Sequence, residues 1–335
     1  MDYNIYIKLT NGCNLQCKHC YNEIMKNHTS MSQETLETVI LWIKNFRKDH
    51  PEDDINMSLH GGEPMLYDLD KIILLIDSLS NLNLKWCVTT NLMYEITDKH
   101  ISIFKNMKPF DKNPMIMTSY DFGDTRFDSD DKIELWKKNV GILKAAGIDI
   151  QPIICLTKYV IKNIKPQQVY DFISQMGLHN FNFERITETG RASVFNVRPD
   201  NNDLNDWLFE AYKIYENLEC YCPLFESITM SLKGIFLGCR ARQCMEKVIT
   251  INPDGTIGGC PNTADKVYTD IDGNENYQNK KCDLVCQERN PNEKCLVCPY
   301  YKWCKGDCFQ LKWDETGCPG PQKIYEYLLR TKNEY

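Results

Sequence analysis

The chain has 335 residues, a formal charge of −7 and ordinary apolar content, with Lys and Arg mixed among Asp and Glu. That length holds one large domain and a smaller one. The lack of a basic stripe excludes nucleic acid as the main partner, and no apolar run approaches the roughly 20 residues that a bilayer span needs.

The predicted elements alternate strand and helix over the first two thirds. Tyr3–Leu9 reads as a strand and Ser32–Lys48 as a helix with Ser32 at its N-cap. Strand Ile55–Leu59 and helix Asp68–Leu82 follow, then strand Leu84–Thr90 and a helix near Asp98–Met107. Met115–Tyr120 is a fourth strand, and helix Asp131–Ala146 stops at Gly147. Ile148–Leu156 is a fifth strand, Pro166–Met176 a helix opened by proline, and Asn180–Glu184 a sixth strand. Repeats of this kind imply a parallel sheet with helices outside. Six units fall short of the eight of a closed barrel, so residues 1–200 are expected to form a partial (β/α)6 TIM-type barrel.

A helix near Leu204–Leu218, within a bridging segment 201–222, leads to a region 223–335 dense in Cys, Gly, Pro and Asn. Val248–Ile251 and Thr256–Gly259 flank Asn252-Pro253-Asp254-Gly255 as a hairpin. Beyond it apolar periodicity fades, and a segment so poor in core needs metal staples. An amphipathic helix, Gln322–Lys332, closes the chain.

No secretory signal opens the sequence, so the expected location is cytoplasmic, where thiols stay reduced. Seventeen cysteines then call for a use of thiolates. Scattered burial accounts for Cys87 and Cys155, which sit in apolar runs. A disulfide scaffold needs an oxidising compartment. Metal or iron–sulfur ligation fits the spacings. Cys13, Cys17 and Cys20 form C-x3-C-x2-C just after the first strand, at the end of the sheet where barrel active sites lie. A cubane fully ligated takes four cysteines, and three leave one iron open. Zinc remains the other reading, with His19 inside the loop as a fourth ligand.

Cys13-x3-Cys17-x2-Cys20-Tyr21 matches the signature of the radical S-adenosylmethionine (SAM) superfamily, aromatic Tyr21 included, and Gly61-Gly62-Glu63-Pro64 matches its GGEP motif. The chain resembles that family. The resemblance implies that Gly61, Gly62, Glu63 and Pro64 hold the amino group of the methionine moiety of SAM. It also places Asn91, Ser119 and Asp121, at the ends of the third and fourth strands, near the ribose or carboxylate. A turn role for Asp121 and Gly123 stands beside that one, and Arg191 of Thr189-Gly190-Arg191 is either structural or functional.

Cys295-x2-Cys298-x5-Cys304-x3-Cys308, with Cys244, Gly255 and Cys260 upstream and Cys318 downstream, is similar to the seven-cysteine SPASM domain of radical SAM peptide-modifying enzymes. By that resemblance Cys244, Cys260 and Cys308 hold a nearer auxiliary cluster, with Cys239 a fitting fourth ligand. Cys295, Cys298, Cys304 and Cys318 hold a farther one. Without Cys239 the nearer cluster keeps an open iron. A pair of four-cysteine zinc sites fits the same counts but carries no electrons. Cys220, Cys222, Cys282 and Cys286 stay unassigned.

The resemblance thus implies three [4Fe–4S] clusters, SAM, an external electron donor of flavodoxin or ferredoxin type, and a 5′-deoxyadenosyl radical that abstracts hydrogen. The expected substrate is a precursor peptide or protein segment, cross-linked through a thioether or carbon–carbon bond, with no nucleic acid or membrane involved. Anaerobic sulfatase-maturating enzymes, which make formylglycine, are the alternative. They carry Asp directly after the cysteine equivalent to Cys260, where this chain has Pro261. A non-catalytic iron–sulfur or zinc scaffold is the third reading, opposed by Gly61–Pro64 and the open cysteine triple.

Overall fold

A computed structural model describes residues 2–22, 29–108, 115–263, 266–274 and 280–331. Six parallel strands lie side by side in sequence order: β1 (Asp2–Thr10), β2 (Asp54–Gly61), β3 (Lys85–Thr90), β4 (Met115–Tyr120), β5 (Asp149–Leu156) and β6 (Asn182–Arg185). The helices between them are α1 (Gln33–Asp49), α2 (Leu69–Ser78), α3 (Asp98–Asn106), α4 (Asp130–Ala145), α5 (Lys158–Asn163) and α6 (Pro166–Gln175).

Strand period fixes which side chains meet the helices. In β1, Ile5, Ile7 and Leu9 are fully buried in one core with Leu36, Val39 and Ile43 of α1. Tyr6 and Lys8 therefore point to the other face. β1 and β6 are far apart in strand order, but Arg191 N donates to Cys20 O at 2.8 Å, joining the loop after β6 to the loop after β1. The sheet curls, as a partial barrel must, and leaves an inner face lined by Tyr6, Lys8 and their counterparts.

Local signals behave as read. Ser32 Oγ accepts from Thr35 N at 3.0 Å as the N-cap of α1. Gly147 ends α4 with φ +77°, and Pro166 opens α6. Some bounds move. The second helix stops at Ser78, and Ser80–Leu82 is a 3-10 turn ended by Asn83 in the left-handed region. The bridging helix is Asn201–Tyr215 and the last is Gln322–Thr331, Lys332 lying outside the described residues. Helices Pro223–Leu232 and Lys280–Arg289 were not foreseen.

The hairpin forms from β7 (Val248–Ile251) and β8 (Thr256–Gly258), antiparallel as expected. It does not stand apart from the barrel. β7 pairs in parallel with β1, Asn4 with Val248 through Ile7 with Ile251. β9 (Thr269–Asp270) continues the sheet beyond β8. The cysteine-rich half is thereby docked on the first barrel strand, which carries Cys260 to the barrel's mouth. Among the described residues no helix is long and apolar enough to cross a membrane.

Candidate active site

Cys13, Cys17 and Cys20 occupy the loop after β1, their sulfurs within electrostatic reach of one another. Burial pushes the Cys17 thiol up to about 12, with Arg126 opposing. A thiol so placed ionises readily only when a metal takes up its charge. N–H groups already aim at two of the sulfurs: Leu15 N (3.4 Å) and Asn91 Nδ2 (3.6 Å) at Cys13, and Arg126 Nη1 (3.4 Å) at Cys17. Every described cysteine is a free thiol. This donor set fits a cluster with one iron left open.

The Gly61–Pro64 loop is bonded to the cysteine loop backbone to backbone. Gly62 N donates to Thr10 O (2.7 Å) and Glu63 N to Gly12 O (2.8 Å). Glycine is required here: a Cβ on Gly61 would lie 2.2 Å from Thr10 O, and one on Gly62 2.1 Å from Gly12 O. Glu63 faces inward as a clamp. Its carboxylate accepts from Thr90 Oγ1 (2.7 Å), Met65 N (3.0 Å) and Asn91 N (2.6 Å). Burial pushes this carboxyl up to about 7, even against the lowering pull of those bonds. Pro64 opens the 3-10 turn that follows. Asn91 also donates to Asn14 Oδ1 at 2.8 Å. The Tyr21 hydroxyl lies 2.9 Å from His60 Nε2. Residues 61–64, Asn91 and Tyr21 thus converge on the cysteine loop. Ser119 is the penultimate residue of β4 and is half-buried.

Asp121 is placed differently from a free ligand contact. Its Oδ2 lies 3.3 Å from both His19 Nδ1 and Arg126 Nε, and Arg126 Nη2 donates to His19 Nε2 at 2.9 Å. Burial holds the His19 imidazole down at about 4, so it is neutral. His19, Asp121 and Cys155 are close enough to share a cation, but the Arg126 guanidinium already supplies the positive charge there. The network positions Cys17 through Arg126.

The C-terminal cysteines form two groups. Cys239 is bonded by the thiols of Cys244 and Cys308, which draw it well below the usual thiol range, and Cys260 lies beside them. Buried Glu288 accepts from Cys244 N (2.9 Å) and from its thiol (2.5 Å). Cys295, Cys298, Cys304 and Cys318 together line a separate small pocket. Gly320 sits against it, where a Cβ would come 3.2 Å from Cys304 Sγ. Each group offers four sulfurs, the donor set of a closed cubane. Cys304 and Cys308 are joined by Lys305, Gly306 and Asp307, all at positive φ. Asp307 anchors this link. Burial would raise its carboxyl, but Arg185, bidentate at 2.8 and 2.9 Å, and Arg240 at 2.8 Å hold it well below the usual range. Cys282 and Cys286 are exposed on helix Lys280–Arg289, outside both groups.

Between the first loop and the nearer group lies the inner face of the barrel. Lys8 Nζ reaches Asn22 Oδ1 (3.0 Å) and the carbonyl of Pro261 (3.4 Å). His60 is held neutral, pushed down to about 3 by burial and the Lys8 charge. Glu184 on β6 is paired with Cys155. Sequence reading missed Lys8, His60, Glu184 and Arg126.

A model of the radical SAM superfamily matches residues 7–175. The chain belongs to the radical SAM superfamily. Membership of this family brings a [4Fe–4S] cluster and SAM, and Cys13, Cys17 and Cys20 fit the cluster. Native anSMEcpe with bound AdoMet and the Cp18Cys peptide superposes on this radical SAM chain with TM-score 0.76 at 17% identity, covering 98% of this chain and 97% of that one. SuiB of Streptococcus suis bound to precursor peptide SuiA gives TM-score 0.61 at 19% identity, over 92% of this chain and 72% of that one. At these identities the likeness speaks of fold: a partial barrel with a SPASM-type cysteine-rich region. An uncharacterized protein of Methanocaldococcus jannaschii is 33% identical over 91 residues, which span 26% of this chain and 30% of that protein.

Proposed function

We propose that the chain is a peptide-modifying radical SAM enzyme that oxidatively cross-links a precursor peptide through a thioether or carbon–carbon bond. The observation that carries this reading is the arrangement of three cysteine groups, one with three thiols at the barrel mouth and two with four thiols beyond the inner face. The two folds it shares were both captured with peptides.

With its cofactors bound, the site supplies a 5′-deoxyadenosyl radical, and the clusters supply one-electron acceptors. The protein's part is to hold and orient. Cys13, Cys17 and Cys20 hold the first cluster, while Gly61–Pro64, Asn91 and Ser119 surround the SAM position. Cys239, Cys244, Cys260 and Cys308 hold the nearer auxiliary cluster, and Cys295, Cys298, Cys304 and Cys318 the farther one. Residues 1–200 cleave SAM and residues 223–335 carry the surplus electron away, with a flavodoxin or ferredoxin as external donor in a reducing cytoplasm. Formylglycine formation is the weaker reading, because Pro261 offers only a carbonyl, bonded to Lys8, where sulfatase-maturating enzymes carry an acid.

The test is to incubate reduced enzyme and SAM with short peptides encoded beside its gene and, separately, with a sulfatase-type Cys peptide. A loss of two hydrogens in a neighbouring peptide supports cross-linking. Aldehyde formation in the Cys peptide alone overturns it.

A further inference from the structure

Cross-linking removes two hydrogens from the peptide, and the site as described so far accounts for only one of them. The first leaves as a hydrogen atom to the 5′-deoxyadenosyl group of SAM. The second leaves as a proton and an electron when the new bond forms. An iron–sulfur acceptor takes the electron, and the proton needs a base close to the bond-forming carbon. Pro261 is not one.

Glu184 stands where such a base is needed. It lies on β6 in register with Cys155, whose sulfur is 3.9 Å from the Arg126 that bonds Cys17. It faces the interior of the barrel, since its charge is felt by Tyr6 on β1 and by Tyr21 beside Cys20, across the curled sheet. Cys239 and Cys260 of the nearer auxiliary group are also within its electrostatic reach. Glu184 thus sits between the place where the radical is made and the place where the electron departs. Among the described residues it has no hydrogen bond and no ion pair, and its side chain is open to the lumen. Every other carboxylate described at the mouth is tied up: Glu63 by three donors, Asp121 by Arg126, and Asp307 by two arginines.

We infer that Glu184 accepts the proton released when the peptide's new bond forms. In balanced form, the substrate carbon loses a hydrogen atom to the 5′-deoxyadenosyl radical, giving 5′-deoxyadenosine. The carbon radical bonds the nucleophile as its S–H or C–H bond breaks. The proton goes to the Glu184 carboxylate and one electron to the iron–sulfur acceptor. This rests on the cross-linking reading. The surroundings suit the task, because the walls of the lumen desolvate the carboxyl and push it up to about 7, Arg185 pulling down and Cys239 pushing further up. A base poised there is ionised in half its copies near neutrality and returns the proton readily.

The experiment uses reconstituted holoenzyme with a peptide that the wild type converts. Glu184→Gln should keep 5′-deoxyadenosine formation within about twofold while product falls roughly hundredfold, the usual worth of a general base. Wild-type product formation should rise as pH increases through about 7, as the acid ionises, and this limb should vanish in Glu184→Gln. Glu184→Asp should restore part of the product. Independently of turnover, the infrared carboxylic-acid absorption of Glu63 and Glu184 should fade through about pH 7, and the part assigned to Glu184 should be lost in the wild-type minus Glu184→Gln difference spectrum while the Glu63 part remains. Wild-type product yield and an unchanged pH profile in Glu184→Gln overturn the inference, as does a proportional loss of 5′-deoxyadenosine and product. If the wild type forms aldehyde on a sulfatase-type peptide instead, the cross-linking reading falls, and the same partition on that peptide judges Glu184 separately.

Discussion

Cys13, Cys17 and Cys20 hang from a barrel whose strands bury Ile5, Ile7, Leu9, Ile55, Leu59 and Val88, and their loop is bonded to Gly62 and Glu63 through the backbone. Residues 282–318 hold four cysteines of the farther group and one of the nearer, yet Leu284, Cys295, Cys304 and Leu311 are the apolar residues buried there. In the first region the fold is made by the core and the metal adds chemistry. In the second, on the proposed reading, sulfur ligands to metal would supply what the core does not.

The comparison is broken most directly by stripping the metal. Anaerobic chelation should unfold residues 282–318, a loss on the order of 10 kcal/mol for a metal-stapled segment, while α1 to α4 keep slow amide exchange. Uniform loss of protection across the chain, read by hydrogen exchange, would erase the distinction. The next largest effect is at the link between the two auxiliary groups. Asp307→Asn leaves Arg185 and Arg240 buried without their carboxylate, which should cost about 3–5 kcal/mol and lower iron retention in both C-terminal groups. The carboxylate is held below its unfolded value, so its contribution is present above about pH 4 and is lost as pH falls. Denaturant titration at pH 7 and under acid conditions checks both points.

Much of this division is legible in the sequence. The triple Cys13, Cys17 and Cys20, the Gly61–Pro64 turn and the C-terminal cysteine spacings are local patterns, and the strand–helix alternation is periodic. Parallel pairing of β7 with β1 is not local: it joins Asn4 to Val248, and nothing in either segment names the other. Helix Lys280–Arg289 is charged on most faces, so periodicity hid it, although Glu288 caps Cys244 from it. Lys8 and Glu184 are polar positions within strands, and nothing local marks which face they occupy. In a barrel the inner face is the lumen, and a polar residue within a strand was the available signal. Asp121 matched a ligand-contact pattern, but its neighbours His19 and Arg126 meet it only after folding.

Smaller changes sharpen the contrast. Gly62→Ala places a Cβ 2.1 Å from Gly12 O and should cost about 1–3 kcal/mol, weakening the first cluster's absorbance and SAM cleavage while sparing the C-terminal iron. Ser32→Ala removes a cap of α1 and should cost about 1 kcal/mol without changing iron content, as thermal unfolding and metal analysis would show.

The central claim is that this one chain holds three cubanes by separate cysteine groups. The measurement is iron and zinc per chain in anaerobically reconstituted protein, before and after replacing Cys13, Cys17 and Cys20 by Ala. Three four-iron clusters predict about twelve irons, falling to about eight in the variant, with no zinc. About four irons in the wild type, or zinc retained with the C-terminal cysteines, would contradict it.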